Sequence, residues 1–485
     1  MVEPTIERAR EAQKRWAATP LNARIQALLP LRQRILTRAE EIAATLANEL
    51  GKPVEETLLA EVLPSADLVA YWLDHIEAFL EPDEQHYDLL QFPGKVGRVY
   101  RDPCGVLGLI TPWNYPVAIP LRSLVPALLS GNAVVFKPSE VTPRTGALVA
   151  SLFEGLVPYG VLGLLQGDRA VGKELVRGGL DRVIFTGSVR GGREVALACA
   201  EQLIPCSLEL GGKDAALVLA DAELERTARG VVWGAFTNAG QNCASIERVY
   251  VESAVAEAFV ARVVELTRGL RPGEDVGRLA TPEQLRVVQR QVQQAVESGA
   301  EVLAGGVAPE EGSLLYPPTV LRLKDEATPL MRDETFGPVL PILVVGSADE
   351  AVARANKSRY GLTASIWSRH LPRAQELARQ LRVGVVTINN HGFTAALASA
   401  PWSGHGETGY GVTNGPHALA EMTRPRLVLT DRGPGRQELW WYPYTPALRS
   451  LALALATLQS GSLTARLRAL VALLVSFPRR LREQR

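Results

Sequence analysis

Residues 106–137 read Val106-Leu-Gly-Leu-Ile-Thr-Pro-Trp-Asn-Tyr-Pro-Val-Ala-Ile-Pro-Leu-Arg-Ser-Leu-Val-Pro-Ala-Leu-Leu-Ser-Gly-Asn-Ala-Val-Val-Phe-Lys137. An apolar run at Val106–Ile110, a proline-stiffened loop, a helical stretch at Pro120–Leu129 and a second apolar run at Ala133–Phe136 follow in the order strand, helix, strand. That order is the unit from which parallel α/β sheets are built. The alternation continues with helices predicted at Thr145–Leu156 and Arg193–Gln202 and a strand at Arg182–Phe185. A second series places strands at Ala215–Leu219, Arg248–Val251, Pro341–Val345 and Val383–Ile388, with helices at Ala254–Leu270, Pro282–Ser298 and Pro372–Gln380. Upstream, apolar residues recur at helical spacing from Ile6 to Leu80, and residues 95–102 alternate as a half-exposed strand would. The fold class is therefore α/β, with two α/β domains behind a helical opening.

The chain has 485 residues, 47% hydrophobic and 21% charged, which excludes a disordered or collagenous protein. Four cysteines, Cys104, Cys199, Cys206 and Cys243, show neither a paired nor a dense spacing, so a disulfide framework is excluded and a reducing compartment is expected. The opening Met-Val-Glu-Pro-Thr-Ile-Glu carries acid where a signal peptide needs base, so the chain reads as cytoplasmic. Residues 103–121 lack charge, but Pro112, Pro116 and Pro120 with Asn114 argue against a membrane span. Formal net charge is zero, yet residues 432–485 hold 9 Arg against 2 Glu, leaving a basic tail on an acidic body. No nucleic-acid role is expected of that body.

Cys243 lies in Asn238-Ala-Gly-Gln-Asn-Cys-Ala-Ser245, a run of small and polar residues unlike a core segment. A nucleophilic thiolate needs access and a lowered pKa, and the amides of a glycine-flanked turn are expected to help lower it. The other three cysteines read as small core residues. No histidine sits in a protease-like signature, so a cysteine–histidine hydrolase is disfavoured. Glu209, in Ser-Leu-Glu-Leu-Gly-Gly-Lys213, ends an apolar strand and suits a general base on water; a solvent-facing strand end is the alternative. Asn114, on its stiffened loop, suits an oxyanion donor or simply a turn. Lys137 and Glu140 lie just past a strand end, where open α/β sheets bind ligands, and Gly187-Ser188 opens a helix whose amides suit a pyrophosphate.

Six motifs occur in one order: Pro112-Trp-Asn-Tyr-Pro116, Lys137-Pro-Ser-Glu140, Phe185-Thr-Gly-Ser188, Leu208-Glu-Leu-Gly-Gly-Lys213, Gly240-Gln-Asn-Cys-Ala244 and Glu334-Thr-Phe-Gly-Pro338. Together they resemble the aldehyde dehydrogenase superfamily over roughly residues 5–430. The resemblance implies a Rossmann-type cofactor domain (1–82 and 103–208), an α/β catalytic domain (209–410) and a small β oligomerisation element (83–102 and 411–431). It makes Cys243 the nucleophile, Asn114 an oxyanion donor with the Cys243 amide, and Glu209 the base that activates water on a thioester. It makes Trp113, Lys137, Ser139, Glu140, Gly187, Ser188, Gly211, Glu334 and Phe336 cofactor contacts, and needs no metal. Glu140 beside a ribose 2′-hydroxyl favours NAD, with NADP also accepted. Retention of Glu209 implies hydrolysis of the thioester rather than transfer to coenzyme A. A thioesterase working without cofactor, or a scaffold acting through its tail, is the competing reading.

Only 113 residues precede Asn114, as in the class 3 branch, which implies a homodimer joined through Gln91–Asp102 and Arg426–Thr430. Pro401-Trp-Ser-Gly404 departs from the family's usual Pro-Phe-Gly-Gly. Tyr115 and Arg122 are the substrate candidates, Arg122 standing where succinate-semialdehyde relatives hold a carboxylate. After residue 432, Leu439-Trp-Trp-Tyr-Pro-Tyr444 precedes two amphipathic helices. One carries Leu448, Leu451, Leu455 and Leu458; the other carries Leu463, Leu467, Leu470, Leu474 and Phe477, with Arg466, Arg468, Arg479, Arg480 and Arg482 around them. Residues 439–485 therefore suit an anionic membrane surface at the inner face, or a lid on the enzyme itself.

Overall fold

The computed structural model describes residues 1–88, 92, 94–307, 309–433 and 438–483. The chain divides into two units, residues 1–81 with 100–426 and residues 82–99 with 427–485.

In the larger unit, helices from Val2–Ala18 to Leu63–Leu80 form the opening, interrupted by a π-helical turn at Leu58–Val62. Beyond them stand two sheets. The first runs Gly409–Tyr410, Cys206–Glu209, Arg182–Thr186, Val106–Ile110, Ala133–Lys137, Leu162–Leu164. Its strands are parallel except at the Gly409–Tyr410 edge. Chain order reverses between Val106–Ile110 and Arg182–Thr186, so a crevice opens at their carboxyl ends, the place where such sheets bind ligands. Near-complete burial of Val106, Leu107, Val134, Val135 and Phe136 explains why these strands read as uninterrupted apolar runs.

The second sheet runs Glu301–Ala304, Thr319–Leu323, Val339–Val345, Ile246–Glu252, Asp214–Val218, Thr363–Trp367, Val385–Ile388. Thr363–Trp367 was not among the strands read from the sequence, because three of its first five residues look polar or small. Inside the sheet those groups are satisfied: Thr363 Oγ1 donates to Asp214 at 2.6 Å and Trp367 Nε1 to Ser365 Oγ at 3.1 Å. The predicted helix at Thr145–Leu156 is shorter, Pro143–Ser151, and that at Arg193–Gln202 starts earlier, at Val189, because Ser188 caps it by accepting from Gly191 N at 3.2 Å.

In the smaller unit, Asp83–Gln85 pairs antiparallel with the first part of Lys95–Pro103, Glu84 opposite Arg98. Thr423–Asp431 flanks Lys95–Pro103 on its other side. Gln91 of the predicted arm and residues 434–437, 484 and 485 of the tail lie outside the described residues. The two tail helices are Pro446–Ser460 and Leu463–Glu483. Their buried positions are Ala447, Leu451, Ala454, Ala469, Ser476 and Arg480, whereas Leu463, Leu467, Leu470, Leu474 and Phe477 are exposed. Arg480 corrects the sequence reading. It is fully buried rather than on a solvated rim, and its guanidinium donates to the carbonyls of Leu439, Trp441 and Pro443, folding the aromatic segment onto the helix. Among the described residues no helix is long and apolar enough to cross a membrane.

Candidate active site

Cys243 follows a turn in which Asn238, Ala239 and Gly240 all adopt left-handed backbone, φ 54°, 54° and 69°. Such geometry costs roughly 1–3 kcal/mol at each non-glycine position, so it persists only where neighbours enforce it. Here Glu56 accepts from Thr237 Oγ1 at 2.6 Å and from Asn238 N, while Asn238 Nδ2 donates to Gln241 O at 2.9 Å and to Asn114 O at 3.0 Å. A β-carbon on Gly240 would stand 2.1 Å from Gly337 O, which no side chain tolerates.

The thiol lines a cavity of about 1320 Å³. The expected lowering of its pKa is corrected: burial pushes Cys243 up to about 12, Asp214, Glu209 and Glu334 add to this, and the Arg122 guanidinium opposes it. The turn's amides are outweighed because desolvation of a thiolate is the larger effect here. Such a shift favours the thiol over the thiolate at neutral pH, so a nucleophilic role for Cys243 would call on a base.

Glu209 ends its strand in a second, small cavity of about 20 Å³ that also touches Cys243, Arg122 and Thr186. That volume suits one water, which needs about 10–15 Å³. Burial raises the Glu209 pKa, opposed by Thr413, Arg122 and Thr186, and its Oε1 has no hydrogen-bond partner among the described residues. A buried carboxylate with unspent acceptor capacity beside a one-water space is placed to take a proton from that water. Asn114 is buried, its Oδ1 also without a partner. Trp402, from the loop that departs from the family pattern, lines both cavities. His391, unused in the sequence reading, is buried with Nε2 2.7 Å from Ala244 O, and burial holds its pKa at about 4. It is a neutral support for the residue after Cys243, and the cysteine–histidine hydrolase reading gains nothing from it.

The remaining candidates lie at strand ends and turns of the first sheet and on the Glu334–Phe336 segment. Lys137 Nζ donates to Pro138 O at 3.1 Å and faces Glu140 at 3.4 Å, with Glu140 half exposed. Ser139 is buried, its Oγ accepting from Val141 N. Gly187-Ser188 leads into the 13-residue helix Val189–Glu201. Trp113 and Phe336 meet edge to face, centroids 5.5 Å apart. Glu334 accepts from Gly212 N at 3.0 Å, and burial, then the Glu247 carboxylate, push its pKa up to about 8. Gly211 backs it so closely that a β-carbon would stand 2.3 Å from the carboxylate. An open helix start, a strand-end lysine and carboxylate, and a half-buried carboxylate two residues from Phe336 are groups of the kind that suit the phosphates, ribose and ring of a nicotinamide dinucleotide.

Two supports escaped sequence reading. Lys213 is ion-paired to Glu247 at 2.6 Å with both side chains buried, and Glu247 accepts from Thr335 N and Phe336 N at 2.8 Å, fixing the Glu334–Phe336 segment. Lys52 and Glu61 form a similar pair at 2.6 Å. Their sequence neighbours gave no signal, since the partner each buried charge must find lies elsewhere in the chain. Among the described residues, no cluster of three or more His, Cys, Asp or Glu could hold a metal ion.

The chain belongs to the aldehyde dehydrogenase family, which it matches over residues 1–428. It is 36% identical over 450 residues to a 4,4'-diapolycopene aldehyde oxidase of Methylomonas sp, covering 92% of this chain and 84% of that one. It is 34% identical over 442 residues to a Mycobacterium ulcerans protein provisionally named as an NADP-type succinate-semialdehyde dehydrogenase, covering 89% and 84%. Lactaldehyde dehydrogenase from Escherichia coli superposes with a TM-score of 0.84 at 34% identity, covering 88% and 90%. The chain is thus an NAD(P)-dependent enzyme that oxidises an aldehyde.

Proposed function

We propose that this enzyme oxidises a long or bulky apolar aldehyde to its carboxylic acid, NAD being the preferred acceptor, with Cys243, Asn114 and Glu209 as its catalytic residues. The observation that carries the substrate class is the cavity of about 1320 Å³ in which Cys243 is accompanied by Ile119, Val232, Trp233, Phe236 and Trp402. The substrate named for the Methylomonas relative supports the same class.

Glu209, directly or through its water, takes the thiol proton as sulfur bonds the carbonyl carbon, and passes it to solvent. Asn114 and the Cys243 amide stabilise the oxyanion. Trp113, Lys137, Ser139, Glu140, Gly187, Ser188, Gly211, Glu334 and Phe336 would hold the dinucleotide, which when bound would supply the acceptor for the hydride of the substrate carbon. The thioester left on Cys243 is attacked by water as Glu209 removes its proton; sulfur leaves and the acid departs. Replacing Glu140 by Gln removes the charge that repels a 2′-phosphate and is expected to raise the NADP over NAD preference in kcat/KM about tenfold.

A second reading rests on Arg122. Arg122 is half-buried, lines both cavities and has no ion pair among the described residues, so a substrate carboxylate could serve as its partner. The name of the Mycobacterium ulcerans relative supports it. A panel of succinic semialdehyde, benzaldehyde, short and long alkanals decides. We expect kcat/KM for dodecanal to exceed that for succinic semialdehyde at least about tenfold, and Arg122→Ala to leave this ratio unchanged. The opposite ranking, collapsing in Arg122→Ala, installs the carboxylate reading.

The chain is further proposed to be a class 3-like homodimer of the cytoplasm whose residues 439–485 dock on the inner membrane face. Exposure of Leu463, Leu467, Leu474, Trp441 and Tyr444 beside Arg466 and Arg468 supports docking. Flotation with anionic liposomes is expected to carry the full chain and leave a 1–431 truncation behind; equal recovery in the soluble fraction sinks docking.

A further inference from the structure

The deepest charges in the helical opening are Lys52 and Glu61, both with fully buried side chains, 2.6 Å apart. Each spends its remaining capacity on one short stretch of chain. Lys52 Nζ donates to Asn114 O at 2.7 Å and stands 4.4 Å from the centroid of the Tyr115 ring. Glu61 Oε2 accepts from Val117 N at 2.8 Å and Ala118 N at 3.3 Å, the start of the Ala118–Leu129 helix. Glu61 itself lies in the π-helical turn Leu58–Val62, whose extra residue per turn alters which way side chains face, a device that recurs at functional sites. Asn114 O also receives Asn238 Nδ2 at 3.0 Å, from the turn that precedes Cys243. The Asn114 peptide is therefore gripped from two sides, while its own side-chain oxygen has no hydrogen-bond partner among the described residues.

We propose that the buried Lys52–Glu61 ion pair is a positioning element for the Asn114 amide, setting its distance from Cys243 through the Asn114 carbonyl. A hydrophobic pair of the same shape would pack at least as well, because two desolvated charges roughly offset their own attraction. What such a pair would not supply is a donor to the Asn114 carbonyl and an acceptor for two amides of the following helix. An oxyanion donor misplaced by a fraction of an ångström loses most of its value, since its benefit depends on preorganisation. The inference rests on the reading of Asn114 as the oxyanion donor.

The test uses the full chain with Lys52→Met/Glu61→Gln, which removes both charges together and strands neither. Asn238→Ala serves as an independent loosening of the same carbonyl if that variant fails to fold. Each is combined with Asn114→Ala, and two quantities are read: kcat and KM for an aldehyde, and the rate of Cys243 alkylation by iodoacetamide, a reaction that forms no oxyanion. Asn114→Ala alone is expected to lower kcat about 100-fold or more and leave alkylation unchanged; if it does not, the reading of Asn114 itself fails. Lys52→Met/Glu61→Gln and Asn238→Ala are each expected to lower kcat at least about tenfold with KM and alkylation little changed, and to add nothing in the Asn114→Ala background. Multiplicative losses in that background, an unchanged kcat, or a parallel loss of alkylation overturns the proposal while leaving Asn114 in place.

Discussion

Cys243→Ala is expected to lose aldehyde oxidation by at least about 10⁴-fold while still binding NAD, because no other group at the site can carry the acyl intermediate. Cys104 and Cys199 are buried elsewhere, and Cys206 lies against Tyr410 at 3.2 Å. Retained NADH production would remove the thiol mechanism; turnover of thioesters without NAD would favour the thioesterase reading. A second measurement follows from the pKa. With Cys243 pushed up to about 12 by burial, the free enzyme exposes little thiolate at neutral pH, and its alkylation should climb with pH well past the range of an ordinary cysteine near 8.5.

Glu209→Gln is expected to divide the reaction at the thioester. Hydride leaves the substrate before water enters, so the variant should release a burst of about one NADH per active site, followed by turnover slowed about 10²–10⁴-fold. Loss of the burst as well would assign Glu209 to the thiol proton in addition. Burial raises the Glu209 pKa, so the carboxylate form needed for hydrolysis is present above that raised value and lost as pH falls through it. The acid limb of kcat should lie above the ordinary glutamate range near 4.3 and be absent from Glu209→Gln.

The helices and most parallel strands were legible because burial on both faces writes itself into composition: Ala133–Lys137 is buried at every position. Thr363–Trp367 was not, because its polar groups are satisfied by Asp214 and by one another, pairings that no periodicity reveals. The three proposed catalytic residues stood out for the opposite reason. Asn114, Glu209 and Cys243 are reactive or polar residues where an apolar strand or turn needs none.

The sequence by itself determined the family and the fold class and singled out the residues proposed to carry the reaction, since these follow from local runs of a few residues in a fixed order. Tertiary structure alone decided the state in which those residues work. Burial pushes the Cys243 thiol up, Glu209 faces room for a single water, Arg480 is a buried clamp rather than a surface charge, and Lys52 holds the Asn114 carbonyl from 62 positions upstream while its partner Glu61 holds the Val117 amide from 56. Desolvation and charge pairing are properties of what surrounds a group in space. Groups that meet across such separations leave no mark on their own neighbours in the chain.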